Sequence, residues 1–592
     1  MSLTSYLSQI LNEEIIKCGY VIPGDINKLV TISGRPDLSQ FQSNFAMQIA
    51  KEYGKNPRNI ALDVVESLKE NKIFSKISID GPGFLNINVS DEFLVQFVTK
   101  ISNLDNFGVS KEDKKKIVLD YGGANVAKPL HVGHLRSAII GEGLKRLAKL
   151  LGDDVIGDVH LGDWGRQMGM VISEIKIMQP DLVYFDPNYN GEYPSVSPVS
   201  ISDLEVIYPK ASSDAKSDEN RMEEARIATK ILQDESEPCH KGYYELWKKI
   251  VEVSVDDLKK IYDRLDVHFD LWNGESDADK YVSSVLKILE DKKLTRISEG
   301  ALIMDVSEDK DTTEVPPLIL KTSAGSIGYH ATEIATMYDR MNKYNPDEIW
   351  YVVDKRQALH FTQCFRAAYK SSIVPESTKL RYFGFGTMNG KDGKPFKTRD
   401  GGVMKLVSLL ELVKDYEKNI LSKNENMSGE EIENISDIVS QGCIKYADAS
   451  SNRETDYIFD IEKFTNVNGK TGAYQLYSSV RQNSIINKAK DMGYSIDGDI
   501  VNPSSEEERR LLLSISKVND VLRSAYNNKN LNIIADYLYE INSLFNNFYN
   551  SFRILTESDV NKRNSWIKLT SVTKRLNDML LNILVIKVPE KI

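Results

Sequence analysis

Hydrophobic and polar positions along this chain change their period several times, and the changes mark its elements. Tyr6, Ile10, Leu11 and Ile15 recur at helical spacing, and the runs from Asn44 and from Ile60 repeat that spacing. Two alternating stretches follow, 76–80 and 84–89, parted by Gly81-Pro82-Gly83, and they read as paired strands. Residues 1–110 therefore form a small α+β unit, with a polar linker at 104–116. At Ile117-Val118-Leu119 a short apolar run predicts a buried strand, Gly122, Gly123 and Pro129 break it, and Leu135, Ile139, Leu144 and Leu147 then follow a helical period. The run 154–161 reads as the next parallel strand, Gly162-Asp-Trp-Gly165 as a tight loop, and Gln167 as the opening of a helix. This is a βαβ unit, which places a ligand at the C-terminal ends of its strands. Residues 179–220 show no clear period and read as an irregular insertion. Helices are expected from about 220 to 237 and from 243 to 265. Strands are expected at 318–321, 349–353 and 381–388. Beyond about 428 the pattern is helical, with long helices at 507–526, 531–554 and 562–584.

The strand–loop–helix at 117–147 carries the first chemistry. His131 and His134 fall on the first turn of the helix, where backbone N–H groups are unpaired and the dipole is positive. Gly133 between them lets a phosphate chain come close to both imidazoles. Far downstream, the strand 381–388 contains Gly384, Gly386 and Met388; its glycines permit close backbone approach, so it can hold adenine by main-chain bonds. After it comes Lys394-Pro-Phe-Lys397-Thr-Arg399-Asp-Gly401-Gly402, a glycine-bracketed basic loop able to close over a triphosphate. Basic loops are usually just solvated. Paired with the histidine turn, this one reads as the second half of an ATP clamp.

Bulk numbers narrow the setting. With 592 residues, 41% hydrophobic and 27% charged, the chain has the size of about three or four domains and an ordinary globular composition. It has no apolar run of transmembrane length and no secretory signal, so a cytoplasmic protein is the default. Cys18, Cys239, Cys364 and Cys443 are scattered, which argues against structural zinc and a disulfide framework. The net charge of −11 does not advertise a nucleic-acid binder, yet residues 551–592 hold eight Lys/Arg against four Asp/Glu. From charge alone, an ordinary solvated helix face is the simpler account of that segment.

His131-Val-Gly-His134 resembles the H-x-G-H signature of class I aminoacyl-tRNA synthetases, and the preceding Asn125-Val-Ala-Lys-Pro-Leu resembles the arginyl-tRNA synthetases in particular. Gly162-Asp-Trp-Gly-x-Gln-Met-Gly, the Tyr329 region, Gln357 and the 394–399 loop continue the likeness over nearly the whole chain. The resemblance implies a multidomain α/β and α architecture. An N-terminal additional domain (1–110) would touch the tRNA elbow. A Rossmann-like parallel-sheet catalytic domain (111–425, with an insertion at about 179–270) and an all-helical anticodon-binding domain (426–592) would follow. It implies ATP-dependent ligation of L-arginine to its tRNA through arginyl-adenylate, with magnesium accompanying ATP and activation that needs bound tRNA; a monomer is expected, and no structural zinc from the cysteine spacing. His131, His134, Lys394 and Lys397 would be catalytic. Lys128, Gly133, Gly384, Gly386, Met388 and Arg399 would bind ATP. Asp120, Asn125, Tyr329, Glu333 and Gln357 would build the arginine pocket. The family has Asp where this chain has Glu333, which moves the charge by about one bond length and still offers a carboxylate to a guanidinium. Asn86 is the elbow-contact match, though it reads equally as a turn or edge residue. Tyr474, Tyr477 and Arg481 offer stacking and cationic groups to splayed bases, and tyrosines at this spacing also read as core. Three rivals share parts of the pattern. Nucleotidylyltransferases are usually short single domains, other class I synthetases lack this pair of signatures, and a non-catalytic RNA-binding derivative is expected to lose signature residues.

Overall fold

A computed structural model describes residues 2–592 apart from 112, 324, 395, 397–403 and 424–426. At its centre is a four-stranded parallel sheet in the order Lys379–Phe385, Glu348–Asp354, Lys116–Asp120, Asp154–Asp158. Alternation across the sheet divides its side chains between two cores. Ile117, Leu119, Trp350 and Val352 join a large core shared with the N-terminal and C-terminal helices. Val118, Ile349 and Tyr351 face a second core built from Ile334, Phe361 and their neighbours. Both faces are covered, which is why these strands read as near-continuous apolar runs.

The helix Val132–Leu151 lies against the first face and ends at Gly152 in the left-handed conformation. It packs on the sheet through Gly141, where an added Cβ would fall inside the Tyr121 ring. Tyr121 follows directly on Asp120, and its hydroxyl donates to Glu142 at 2.7 Å. Gly141→Ala should therefore cost about 1–3 kcal/mol of stability through overpacking, read as a lower denaturation midpoint with unchanged slope.

The N-terminal unit is a four-stranded antiparallel sheet in the order Thr31–Ile32, Phe41–Ser43, Phe84–Val89, Phe74–Asp80, packed with the helices Leu3–Lys17, Phe45–Tyr53, Pro57–Leu68 and Asp91–Ser102. The predicted strand pair around Gly81-Pro82-Gly83 is its hairpin. The helical bundle runs from Gly429 to Ile583 and reaches back to this unit. Arg509 pairs with Asp91 at 2.7 Å, Arg575 donates to the Ser102 carbonyl at 2.7 Å, and the Asp520 carboxylate accepts from the Leu3 N–H at 3.1 Å.

Two sequence expectations need correction. Within the span read as irregular, Ile201–Ser217 is a helix. Ser200 and Asp203 cap it reciprocally, and Leu204, Ile207, Ala211 and Ala215 form its buried stripe. Pro209 and the surrounding serines and aspartates obscured that period. The single helix expected at 507–526 is two, Glu506–Ser516 and Val518–Asn528, broken at Lys517. Among the described residues no helix is long and apolar enough to cross a membrane.

Candidate active site

His131 and His134 cap the helix Val132–Leu151 reciprocally. The Gly133 N–H donates to His131 Nδ1, and the His131 N–H donates to His134 Nδ1, both at 3.0 Å. The two rings lie 3.8 Å apart, and a Cβ on Gly133 would meet the His131 ring at 2.8 Å. Burial, followed by the charges of Lys128 and Arg356, lowers His131 to about 4; burial, His131 and Lys128 lower His134 to about 3. Both imidazoles are neutral at physiological pH. Because each Nδ1 accepts a backbone hydrogen bond, the proton of each neutral ring belongs on Nε2, which makes both rings hydrogen-bond donors on their outer side.

The basic loop is rooted at this turn. Met404 N–H donates to the Phe396 carbonyl at 3.1 Å, closing the stem. Val132 N–H donates to Met404 O at 3.2 Å, and Leu406 N–H donates to Leu130 O at 2.8 Å. Lys394 is exposed in the turn just before the stem, its N–H on Asp392 at 3.0 Å. Lys397 and Arg399 lie outside the described residues. Lys128 is half-buried 5.7 Å over the Tyr208 ring, and burial lowers its pKa.

The glycines of the strand Lys379–Phe385 and its exit do different work from that expected. Gly386 N–H donates to Arg453 O at 3.0 Å, and Gly386 O accepts from Arg136 Nη1 at 2.7 Å. Gly384 O accepts from Arg453 Nε at 3.1 Å. Met388 is buried and pairs with Tyr457. Residue 386 must be glycine because a Cβ would strike the Thr455 carbonyl. The main-chain groups read as adenine ligands are thus largely engaged in joining the sheet to the helical bundle. Arg136 completes that joint with a 2.7 Å ion pair to Asp448. Sequence reasoning missed Arg136 and Arg453, since nothing local marks their distant partners.

Asp120 and Asp158 end adjacent parallel strands in register. Asp120 was expected to face the amino acid. Its Oδ2 accepts from Arg340 Nη2 at 2.6 Å, and the same nitrogen donates to Asp158 Oδ2 at 2.9 Å. Arg340 sits on the helix Tyr329–Tyr344, two turns after Glu333, and its guanidinium lies 5.4 Å over the Tyr351 ring. Around it several buried polar atoms make no well-aligned hydrogen bond among the described residues: Glu333 Oε1, Arg340 Nε and Nη1, Tyr351 Oη, which lies close to both of those side chains, and His160 Nδ1, 3.9 Å from Asp158 Oδ2. Such atoms are rare in a native interior. Burial raises the pKa of Glu333, and burial pushes the nearby Glu275 up to about 7.

Asn125 borders this region, pairing with Gly162, where a Cβ would collide with its side-chain oxygen. Tyr329 opens the Glu333 helix and is 63% exposed, with His330 at 4.4 Å and His360 at 4.7 Å. Gln357 is exposed at the N-cap of Ala358–Lys370, so that helix meets Tyr329 through His360. The i+7 spacing from Glu333 to Arg340 was a legible signal that both share a helix face.

The proposed RNA contacts divide. Asn86 is 4% exposed; its Oδ1 accepts from Ser39 at 3.3 Å and Gln42 at 3.1 Å, and its amide donates to Asp80. It lies in an inner strand and organises the sheet, so it is neither a turn nor an edge residue. In the bundle, Asn546 joins two of the named residues: it donates to Tyr474 Oη at 2.9 Å and accepts from Arg481 Nη1 at 2.6 Å. Arg481 is exposed and lies 5.4 Å over Tyr549. Tyr477 packs inward, where burial and then Glu417 raise its pKa.

Comparison with known proteins supplies an independent outline. The family model described as class I (R) tRNA synthetase catalytic domain matches residues 97–461, an arginyl tRNA synthetase N-terminal domain matches 5–89, and a DALR anticodon binding domain matches 475–592. The chain is 48% identical over 564 residues to an arginine–tRNA ligase of Alkaliphilus oremlandii, covering 95% of each chain. It is 45% identical over 598 residues to one of Agathobacter rectalis, covering 99% of each. The crystal structure of arginyl-tRNA synthetase from Plasmodium falciparum matches with a TM-score of 0.79 at 27% identity, over 100% of this chain and 99% of that one.

Proposed function

The chain belongs to the arginyl-tRNA synthetase family, and on that premise we propose how its residues share the joining of arginine to tRNA for protein synthesis. In the first step the arginine carboxylate attacks the α-phosphate of ATP, and pyrophosphate leaves. In the second a terminal ribose hydroxyl of the tRNA attacks the acyl carbon of arginyl-adenylate, and AMP leaves. No covalent bond to the enzyme is needed in either step.

The histidines and the basic loop serve the first step. Neutral His131 and His134 donate from Nε2 to phosphate oxygens, while Lys128, Lys394, Lys397 and Arg399 offset the charge that moves onto pyrophosphate. Gly133 keeps the turn open to the nucleotide. Glu333 takes the substrate guanidinium, with Asn125, Tyr329 and Gln357 around the remainder of the amino acid. The cluster of buried polar atoms without well-aligned hydrogen bonds at Glu333, Tyr351, His160 and Arg340 carries this reading. ATP enters with magnesium; action as a single chain in the cytoplasm belongs to the same proposal and rests on the family likeness.

The test is ATP–pyrophosphate exchange with each amino acid, with and without tRNA. Exchange with arginine alone, and only when tRNA is present, is expected; exchange driven by another amino acid would overturn the substrate assignment. The exposed Arg481, held by the buried Asn546 beside half-buried Tyr474, is proposed to meet anticodon bases. Arg481→Ala should remove about 1 kcal/mol of tRNA binding, roughly a fivefold rise in KM for tRNA, with KM for arginine unchanged.

A further inference from the structure

The arginine pocket contains an arginine of the protein's own. Arg340 is 2% exposed, and a single nitrogen, Nη2, reaches both Asp120 and Asp158. These two carboxylates end neighbouring strands in register and would otherwise face each other inside the protein with only the His160 imidazole, 3.9 Å from Asp158, beside them. Glu333 comes from the same helix as Arg340, seven residues earlier, and the charges of Asp120 and Arg340 both act on it. Yet Glu333 Oε1, like Arg340 Nε and Nη1, makes no well-aligned hydrogen bond among the described residues, with only the Tyr351 hydroxyl close to both side chains. The resident guanidinium satisfies two acids and leaves the third.

We propose that Arg340 is a specificity-determining positioning residue: by holding Asp120 and Asp158 as its own pair, it keeps Glu333, with Glu275 nearby, free to receive the guanidinium of the substrate. The inference rests on the assignment of Glu333 to the arginine pocket. Its physical content is a charge count with a geometry. With Arg340 in place, the two strand-end acids are already paired and the incoming cation is directed to Glu333. Without it, three carboxylates converge, they raise one another's pKa, and a cation can settle among them in several ways. Lysine in place of Arg340 keeps the charge but loses the planar fork, so it cannot fix both strand-end acids as the guanidinium does.

The experiment is steady-state aminoacylation by the full chain, with KM for arginine and for ATP measured separately. Arg340→Lys is expected to raise KM for arginine at least about tenfold while KM for ATP stays within about twofold. Free guanidinium at low millimolar concentration gives a second readout that a purely structural role would not move. In the wild type it should compete with arginine and inhibit. In Arg340→Ala it should enter the space left by the side chain and activate. An unchanged KM for arginine in Arg340→Lys, or a parallel rise in both constants, overturns the proposal, as does a folded Arg340→Ala that guanidinium only inhibits. Should Arg340→Ala fail to fold, Arg340→Lys decides alone. Glu333→Gln, measured alongside, separates the two readings: if it raises KM for arginine and Arg340→Lys does not, the pocket stands and the role of Arg340 falls.

Discussion

His134→Ala is expected to slow arginine activation at least about 100-fold, because it removes a preorganised donor of the kind worth about 2.7–4 kcal/mol in a transition state. The side chain is bound on one side and free on the other. Its Nδ1 accepts the His131 N–H at 3.0 Å, which fixes the ring before substrate arrives and directs the Nε2 proton outward. The variant loses that backbone acceptor as well, at a cost of about 1 kcal/mol, so the protein should remain folded while the rate collapses. Single-turnover exchange with a parallel melting curve separates the two effects. A rate within about threefold of the wild type would remove His134 from the transition state.

The same geometry makes a pH prediction with a definite sign. Both imidazoles are depressed below the ordinary histidine range, to about 4 and about 3. In the free enzyme neither protonates between pH 8 and about 5, so kcat/KM should show no step near the ordinary histidine value of about 6.5 from these groups. The unfolded chain does bind those protons. The two histidines therefore favour the fold fully above about pH 6.5, and their contribution is lost as pH falls from there toward their folded values.

How much of this was legible in the sequence depended on how far each residue's partners lie along the chain. The histidine turn is local: a strand, two glycines and a capped helix within about thirty residues, and the structure has that form. The parallel sheet was legible because its strands are buried on both faces. What escaped was set by distant contacts. Gly386 looked like a nucleotide-binding glycine, and its main chain in fact meets Arg136 and Arg453, 250 positions before it in the first case. Asn86 read equally as a turn or edge residue, but the strand Phe41–Ser43 beside it and the Asp80 carboxylate close around it. Asp120 was placed at the substrate by resemblance to the family, and its partner Arg340 comes from 220 positions later.

Glu333→Gln should raise KM for arginine between about 10- and 150-fold, the equivalent of losing a charged hydrogen bond of about 1.5–3 kcal/mol, while KM for ATP changes by no more than about threefold. The split follows from position. Glu333 lies in the second core's helix beside Tyr351 and Arg340, on the far side of the sheet from the helix that His131 and His134 cap. Glutamine preserves shape and one acceptor oxygen, so a selective loss reports the missing charge. Burial already raises the pKa of this carboxyl, which means the free enzyme holds it against an unfavourable surrounding, and a bound guanidinium relieves that cost by pairing with it. Arginine affinity should accordingly fall as pH drops through the raised value, and the Gln variant should lose that dependence. Glu333→Asp, the residue the family pattern carries, should keep the charge and retain most of the affinity. Equal losses of arginine and ATP binding in Glu333→Gln would mean that the side chain supports the fold of the site and does not receive the substrate.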